Sequence, residues 1–219
     1  MIRQRQASLG DQVFDQLEMD ILSGTLARDS IVTEKELAEH LGVSRTPVRE
    51  AITRLEQENM VEDLGKGIRI VGITDSEAEY IYVIREKLEG MAAAEAAVHI
   101  TDEQLTAMKD ILDYHEFLLE KGDTEKMREC DNEFHELLYK SSDNAVLISI
   151  LVPLHRKVQR YRKMTIRKKD RAAQSIREHI KIYEALKLHN PGLAELAATD
   201  HVMNAKASVS KNLQDAKEA

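Results

Sequence analysis

The feature that most constrains the fold of this chain is a pair of short amphipathic helices predicted between Glu34 and Val61, separated by a tight turn. Apolar residues recur at helical spacing in both segments. They are Leu37, Ala38 and Leu41 in the first segment and Val48, Ala51, Ile52 and Leu55 in the second. The two stripes can bury against each other, so we expect the segment to fold as one unit.

The boundaries of both helices are signalled by local residues. Thr33 followed by Glu36 is typical of a capping box, in which each side chain satisfies a backbone N–H of the other. Gly42 predicts the end of the first helix. Pro47 lies where the first turn of the second helix tolerates a missing N–H. The turn between the helices is therefore encoded by the residues that form it.

The second helix carries a polar face suited to DNA. Arg49 follows Arg45 and Thr46 by about one helical turn, on the side away from Val48 and Leu55. In a helix-turn-helix, the first turn of the second helix enters the major groove, where arginine pairs with guanine and a hydroxyl reaches a base edge or phosphate. An ordinary helical pair with a solvated polar face is the alternative. We assign these DNA-contacting residues: Lys35, Ser44, Arg45, Thr46 and Arg49.

Two short strands are predicted after the helix pair, over residues 60–64 and 68–73. They are joined across Gly65, Lys66 and Gly67. Glycine lets the backbone approach a duplex closely, and a lysine at the tip offers a phosphate or minor-groove contact. We therefore expect a wing in which Lys66 and Gly67 contact DNA, with a simple hairpin turn as the alternative.

The run GVSRTPVREAITRLEQENMV, with LEMDILSGTL before it and the glycine-framed hairpin after it, resembles the winged helix-turn-helix of the GntR family of bacterial transcription regulators. The resemblance covers about residues 9–73. It implies a sequence-specific DNA-binding domain over residues 1–73, opened by a helix from about Leu9 to Ser23.

Charge and composition limit the functions open to the chain. The net charge is −8, and residues 1–74 hold 9 basic and 13 acidic side chains. Because phosphate neutralisation supplies most sequence-independent affinity, this balance argues against indiscriminate nucleic-acid binding. The single cysteine permits no internal disulfide, and no apolar run is long enough for a signal core or a membrane span. We expect a cytoplasmic protein without membrane contact.

From Thr74 onward the sequence changes to long amphipathic helices with short breaks and no convincing strand. The predicted helices cover residues 75–98, 102–120, 123–140, 144–168, 170–189 and 191–214, with a kink at Pro153. The expected fold is therefore mainly α: an N-terminal winged helix-turn-helix over residues 1–73, then an all-helical bundle of about six helices over residues 74–219.

Three helices of this bundle carry residue types that bind metal ions. Asp131 and His135 are four residues apart and share one inward face. His179 and His201 lie on the inward faces of two further predicted helices. A lone inward histidine is usually a core residue, but an inward carboxylate without a partner is costly unless a cation offsets its charge. Bundles build metal sites from such facing side chains.

The segments DNEFH, SIREH and ATDHV, together with SSDNAVL and IREKLEGMAAAEAA, resemble the FCD effector-binding domain of the FadR branch of GntR regulators. Members that keep one aspartate and three histidines at these places bind a divalent metal. The resemblance implies Asp131, His135, His179 and His201 as ligands, and six helices favour the VanR-type subgroup over seven-helix relatives. Such a ligand set suits zinc or nickel, with manganese or iron also open.

A small organic acid could complete the coordination of that metal. Arg85 lies on an inward stripe of the first bundle helix and is a candidate guanidinium clamp for a carboxylate, with Arg162 as a second candidate. The alternative for Arg85 is an internal salt bridge with Glu89, four residues further on. The residues leave both readings open.

The sequence therefore predicts a transcription regulator rather than an enzyme, with repression as the default. A small carboxylate effector bound at the metal would control its affinity for double-stranded DNA, and a homodimer would meet an inverted-repeat operator. A plain metal sensor is one alternative. A metal-dependent hydrolase is the other, but it needs a general base beside the metal. Glu133 and Glu178 point away from the expected metal direction.

Overall fold

The computed structural model describes residues 8–166 and 168–218 of the chain. It divides into two compact units, Met1–Thr74 and Asp75–Ala219. The mainly helical fold with a small sheet in the first unit agrees with the fold class expected from the sequence. None of the helices in the described ranges is long and apolar enough to cross a membrane.

The first unit is a winged helix-turn-helix. Its elements are α1 (Leu9–Ser23), β1 (Ile31–Val32), α2 (Glu34–Leu41), α3 (Arg45–Gln57), β2 (Val61–Asp63) and β3 (Ile68–Ile70). The strands form an antiparallel sheet in the order β1-β3-β2. The sequence did not predict β1, because two residues are too few for an alternating pattern. Pairing with β3 is what makes this segment a strand.

Local signals set the ends of α2 as expected. The Thr33 side chain accepts a hydrogen bond from the Glu36 N–H, and Glu36 in turn accepts from the Thr33 N–H, so the capping box is complete. Gly42 follows α2 with φ of 66°, a left-handed conformation that glycine adopts without steric cost. Val48, Ala51 and other apolar residues of both helices lie in one core with α1 and the sheet.

The second unit is an all-helical bundle over its described residues. Its helices are α4 (Asp75–His99), α5 (Asp102–Lys121), α6 (Thr124–Ser141), α7 (Ala145–Lys157), α8 (Gln159–Ile166), α9 (Lys169–Lys187) and α10 (Pro191–Glu218). Helices α4 and α10 approach closely because small side chains meet between them. A Cβ added at Gly90 would lie 2.5 Å from the Thr199 Oγ1.

One of the six predicted bundle helices requires correction. The helix expected over residues 144–168 is broken at Val158, so the described part of this unit contains seven helices. Pro153 lies inside α7 and does not end it. The break allows Val158, Tyr161 and Arg162 all to be buried. No local residue signals this burial, and the VanR-type assignment loses the helix count on which it rested.

Candidate metal centre and DNA-reading surface

The N-terminal turn of α3 presents the predicted reading residues to solvent. Arg45 and Thr46 are exposed, and Arg45 makes no ion pair within the described part of the chain. Ser44 is the N-cap residue, but its side chain makes no capping hydrogen bond, which leaves the hydroxyl available to a phosphate. These three residues are therefore accessible to a duplex.

Arg49 has a partner that the sequence analysis missed. Its Nε and Nη2 atoms donate to the two carboxylate oxygens of Glu34 on α2, each at 2.8 Å. Hydrogen bonding and the charge of Arg49 lower the pKa of the Glu34 carboxyl below its usual value. This bidentate pair holds the Arg49 side chain in one orientation across the two helices. A guanine would have to share or replace that contact.

A groove runs between the start of α2, the start of α3 and the wing. Lys35, Arg45, Lys66 and Gly67 all line it, so the structure brings four predicted DNA-contacting residues to one surface. Gly67 also has a structural role, because a Cβ there would lie 2.7 Å from Ile31 Cγ2. Its contact with DNA remains a prediction.

The four predicted metal ligands lie together inside the bundle. Asp131 and His135 project from α6, His179 from α9 and His201 from α10, and none exposes more than 2% of its surface. The Nε2 atoms of His179 and His201 are 3.3 Å apart, and Asp131 Oδ1 lies 3.7 Å from His179 Nε2. One nitrogen from each of the three histidines falls within 4.8 Å of the others.

This arrangement fits a divalent ion. Two imidazole nitrogens bound tetrahedrally to one zinc lie about 3.3 Å apart, because each Zn–N bond is about 2.0–2.1 Å long. That separation matches the contact between His179 and His201. The Nε2 of His135 is buried without a hydrogen-bond partner, which is costly unless something binds it. The donor set, the convergence and this unpartnered atom therefore suit a metal.

Two carboxylates that the sequence analysis did not assign contact the Nδ1 side of two of these imidazoles. Glu178 Oε2 lies 2.9 Å from His201 Nδ1, and Glu89 Oε2 lies 3.2 Å from His135 Nδ1. An ionised carboxylate only accepts, so His201 Nδ1 carries the proton and His201 Nε2 keeps its lone pair. Carboxylates commonly fix metal-binding histidines in this way. Glu178 therefore contacts a predicted ligand histidine, a positioning role that the sequence analysis did not assign. Glu89 Oε2 contacts His135 Nδ1 without hydrogen-bond geometry, so this contact does not set the His135 tautomer.

Burial keeps two of the predicted ligand imidazoles, those of His179 and His201, uncharged. It lowers the pKa of His201 to about 4, and it lowers the pKa of His179 well below its ordinary value, with further lowering from neighbouring imidazoles. Neutral imidazole is the form that binds a cation. Burial alone would raise the pKa of Glu89, but the charge of Arg85 holds it well below the usual value.

Both predicted effector-binding arginines are buried beside this site and paired with carboxylates. Arg85 Nε donates to Glu89 Oε1 at 2.6 Å, so the internal salt bridge considered as the alternative is present. The Nη1 of Arg85 has no hydrogen-bond partner. Arg162 forms an ion pair with Asp131. The clamp role of the arginines stays a prediction, and it now has to account for these two pairs.

A second group of potential ligands overlaps the first. Glu89, His135 and His155 also lie within 4.8 Å of one another. Arg85 Nη2 is 3.2 Å from His155 Nδ1, and Arg162 Nη1 is 2.8 Å from its Nε2. Two guanidinium groups beside these atoms repel a cation, so the second group is a poor metal site. No periodic pattern pointed to His155, because its position depends on the packing of α7.

Comparison with known proteins adds independent information to this geometry. The family model of the FCD domain matches residues 80–204, more than half of the chain. The model of the bacterial regulatory proteins of the gntR family matches residues 9–70. The chain belongs to the GntR family. Both resemblances expected from the sequence are therefore confirmed, and this GntR regulator carries an FCD domain behind its DNA-binding unit.

The relatives align with nearly the whole length of this GntR regulator. The HTH-type transcriptional regulator YdhC of Bacillus subtilis is 32% identical over 195 residues, covering 88% of this chain and 85% of that protein. The HTH-type transcriptional repressor RspR of Escherichia coli is 26% identical over 208 residues, with 94% and 91% covered. The solved structure of E. coli McbR/YncC has a TM-score of 0.82 at 24% identity, covering 95% and 100%, which shows a shared fold.

These relatives and family matches are transcriptional regulators, not enzymes, as the sequence predicted. The hydrolase alternative has no support from them. Neither match distinguishes the VanR-type subgroup, which stays a prediction.

We expect Glu178→Gln to weaken metal binding by this GntR regulator by about 10- to 100-fold, the usual effect of losing a carboxylate behind a ligand histidine. The amide can present its NH₂ to His201 Nδ1 and thereby favour the wrong tautomer. Competition with a chromophoric chelator measures the affinity directly. Glu184→Gln, at an exposed position on the same helix, is the control. Equal zinc affinity in wild type and Glu178→Gln would contradict the assigned role.

Proposed function

We propose that this GntR regulator is a repressor whose operator affinity is controlled by a small organic acid, bound at a divalent metal ion in the FCD domain. Asp131, His135, His179 and His201 would hold the ion. The observation that carries the proposal is the convergence of three buried imidazoles from three helices, with the unpartnered Nε2 of His135 among their nitrogen atoms.

The ligand set favours zinc or nickel, and manganese or iron also accept imidazole and carboxylate. A bound ion would supply a Lewis-acidic position that a carboxylate oxygen can occupy. The protein's own part is to hold His179 and His201 neutral and to exclude water by burial. A relative named the gluconate operon transcriptional repressor, 29% identical over 144 residues, supports a link between such proteins and organic acids.

The DNA-binding unit supports sequence-specific recognition. Arg45, Thr46 and Arg49 would read base edges, while Lys35, Ser44, Lys66 and the Gly67 backbone would contact phosphates. The relative RspR is named a repressor, which supports repression as the mode of control. We place the protein in the cytoplasm, where a bacterial regulator meets its operator.

A second copy of the chain is the partner that fits the outer face of α4. Exposed apolar side chains follow one stripe of this helix, namely Tyr80, Ile84, Met91 and Val98. Lys87 and Glu95 flank Met91 at equal distances along the sequence. In an antiparallel pairing about a twofold axis at Met91, Lys87 of each copy would face Glu95 of the other. Such a homodimer would present two DNA-binding units to an inverted repeat.

We expect Met91→Glu to raise the dimer dissociation constant by at least about 100-fold, because two like charges would meet at the axis at a cost of several kcal/mol. Lys87→Glu should weaken the dimer, and adding Glu95→Lys should restore it by exchanging the two charges. Sedimentation equilibrium measures each constant. Leu188→Glu, an exposed apolar position at the end of α9, is the control. A dimer unaffected by Met91→Glu would rule out this face.

Helix α8 connects the proposed effector site with the start of α4. Arg162 pairs with the proposed ligand Asp131, and the adjacent Tyr161 donates to Asp75 Oδ1 at 3.0 Å. Asp75 is the first residue of α4, directly after the first unit. Displacement of Arg162 by a ligand would therefore act on the start of α4. An effector changes operator affinity only if it binds the two arrangements with different affinity.

The test is an operator-release titration. An operator would be selected from a randomised duplex library with metal-loaded protein, and organic acids would then be added at fixed salt. Release that requires both the acid and the metal supports the proposal. Release that follows free metal alone would instead support the metal-sensor alternative. Acid-dependent release that persists after complete metal removal would exclude a metal-mediated mechanism.

A further inference from the structure

A small cavity beside the proposed ligand set has an unusually cationic wall. As the side chains stand, its volume is about 20 Å³, which is room for about one water molecule. Its described polar lining residues include Arg85, Arg162, Arg171, Asp131, Thr165 and Ser175. Three guanidinium groups around so small a space indicate an anion-binding site whose charge depends on how each arginine is neutralised.

Each of these arginines has one carboxylate partner. The pairs are Arg85 with Glu89 at 2.6 Å, Arg171 with Glu178 at 3.1 Å, and Arg162 with Asp131. The six side chains are buried or nearly so, and the cluster has no formal net charge. Since burying an uncompensated charge is costly, this balance constrains what else can enter.

The three carboxylates are not equivalent. Glu89 and Glu178 stand behind His135 and His201, on the side away from the ligand nitrogens. Of these three carboxylates, Asp131 is the one that both pairs with an arginine and would bind the proposed ion. A carboxylate that binds a divalent cation gives up most of its attraction for a neighbouring guanidinium. Arg162, only 7% exposed, would then be buried without a counter-charge.

We propose that the effector is a small dicarboxylate, with one carboxylate bound at the ion and the other replacing Asp131 as the partner of Arg162. The inference rests on the proposed function and narrows its ligand class. Adding a doubly charged ion to a neutral cluster leaves two positive charges, which a dianion neutralises completely. A monocarboxylate leaves one of them buried and unpaired.

Because the cavity is so small, a dicarboxylate can bind only if Arg162 first separates from Asp131. A dicarboxylate does not fit while Arg162 lies against Asp131, so the arginine has to move before the acid enters. The ion supplies the reason for that movement, because it takes Asp131 from Arg162. Zinc binding is thus expected to precede acid binding, and the zinc-free protein should bind succinate at least about tenfold more weakly than the zinc-loaded protein.

The experiment compares malonate, succinate and glutarate with their semi-amides, titrated calorimetrically into protein carrying one zinc per chain. A semi-amide has nearly the same shape but one negative charge. The diacid that binds tightest should exceed its semi-amide by about 10- to 100-fold, as for a charge-assisted pair with arginine. Arg162→Met should reduce that ratio to about twofold while zinc content stays at one. Arg162→Lys keeps the charge and should retain part of the preference.

The outcomes separate the inference from the function on which it rests. Zinc-loaded protein that binds each diacid and its semi-amide equally, or an Arg162→Met variant that keeps the full preference, would overturn the dicarboxylate assignment alone. A wild-type protein that holds no zinc would overturn both. A preference that disappears only in Arg162→Met and persists in part in Arg162→Lys supports the exchange.

Discussion

Replacing His179 with alanine is expected to abolish metal binding by this GntR regulator while leaving the helical bundle folded. His179 supplies the nitrogen closest to His201 and lies within reach of Asp131. Without it, one of the three convergent imidazoles is missing and the remaining ligands are too few for tight binding. Metal content after gel filtration should fall from one ion per chain to none.

Thermal unfolding gives the second measure of this change. At a free metal concentration of 100 times its dissociation constant, binding stabilises the folded state by about 2.7 kcal/mol. For a chain of this size that corresponds to a rise of about 5–10 °C in Tm, because 1 kcal/mol shifts Tm by about 2–4 °C. The rise should appear in wild type and disappear in His179→Ala. Organic acids should also lose their effect on operator binding.

His115→Ala is the matched control for this experiment. His115 is also buried, and its ring lies 6.1 Å from that of His179, but it does not belong to the ligand set. Its removal should destabilise the bundle comparably while keeping one ion per chain and the metal-dependent rise in Tm. If His179→Ala retained the full metal content, the four-residue site would be wrong.

The largest effect on DNA is expected from replacing Arg45 and Arg49 together with alanine. A bidentate arginine–guanine pair contributes about 1–3 kcal/mol of discrimination. A dimer carries each substitution in both half-sites, so the double variant should lose at least about 30-fold in operator affinity. Both side chains are exposed, and loss of the exposed Arg49–Glu34 pair should cost at most about 1 kcal/mol, so the domain should stay folded. Fluorescence anisotropy with the selected operator and a scrambled duplex, at fixed salt, measures the loss.

The Lys66→Ala variant distinguishes sequence-specific contacts with bases from contacts with the phosphate backbone. Loss of a phosphate contact should weaken binding to both duplexes by similar factors and reduce the salt dependence by about one unit per contact. The double arginine variant should instead bring operator affinity close to that for the scrambled duplex. An unchanged ratio between the two duplexes would show that other residues read the sequence.

Several parts of the fold could be predicted because their cause lies within a few residues. The capping box at Thr33 and Glu36 and the left-handed Gly42 delimit α2, and both depend on side chains adjacent in sequence. Helical periodicity placed Asp131 and His135 on one inward face for the same reason. The break at Val158 had no such signal, since it follows from the burial of α8 against other helices.

The helix pair, the wing and the helical character of the second unit could be read from the sequence, because they follow from local propensity and turn residues. Periodicity put Asp131, His135, His179 and His201 on inward helix faces, and the resemblance to the FCD domain selected these four as a set. The Arg85–Glu89 pair was open to prediction because its members are four residues apart on one helix. The pairs Arg49–Glu34 and Arg162–Asp131 came from tertiary packing. Their members are distant in sequence, and helical periodicity does not encode distances of a few ångströms between packed elements.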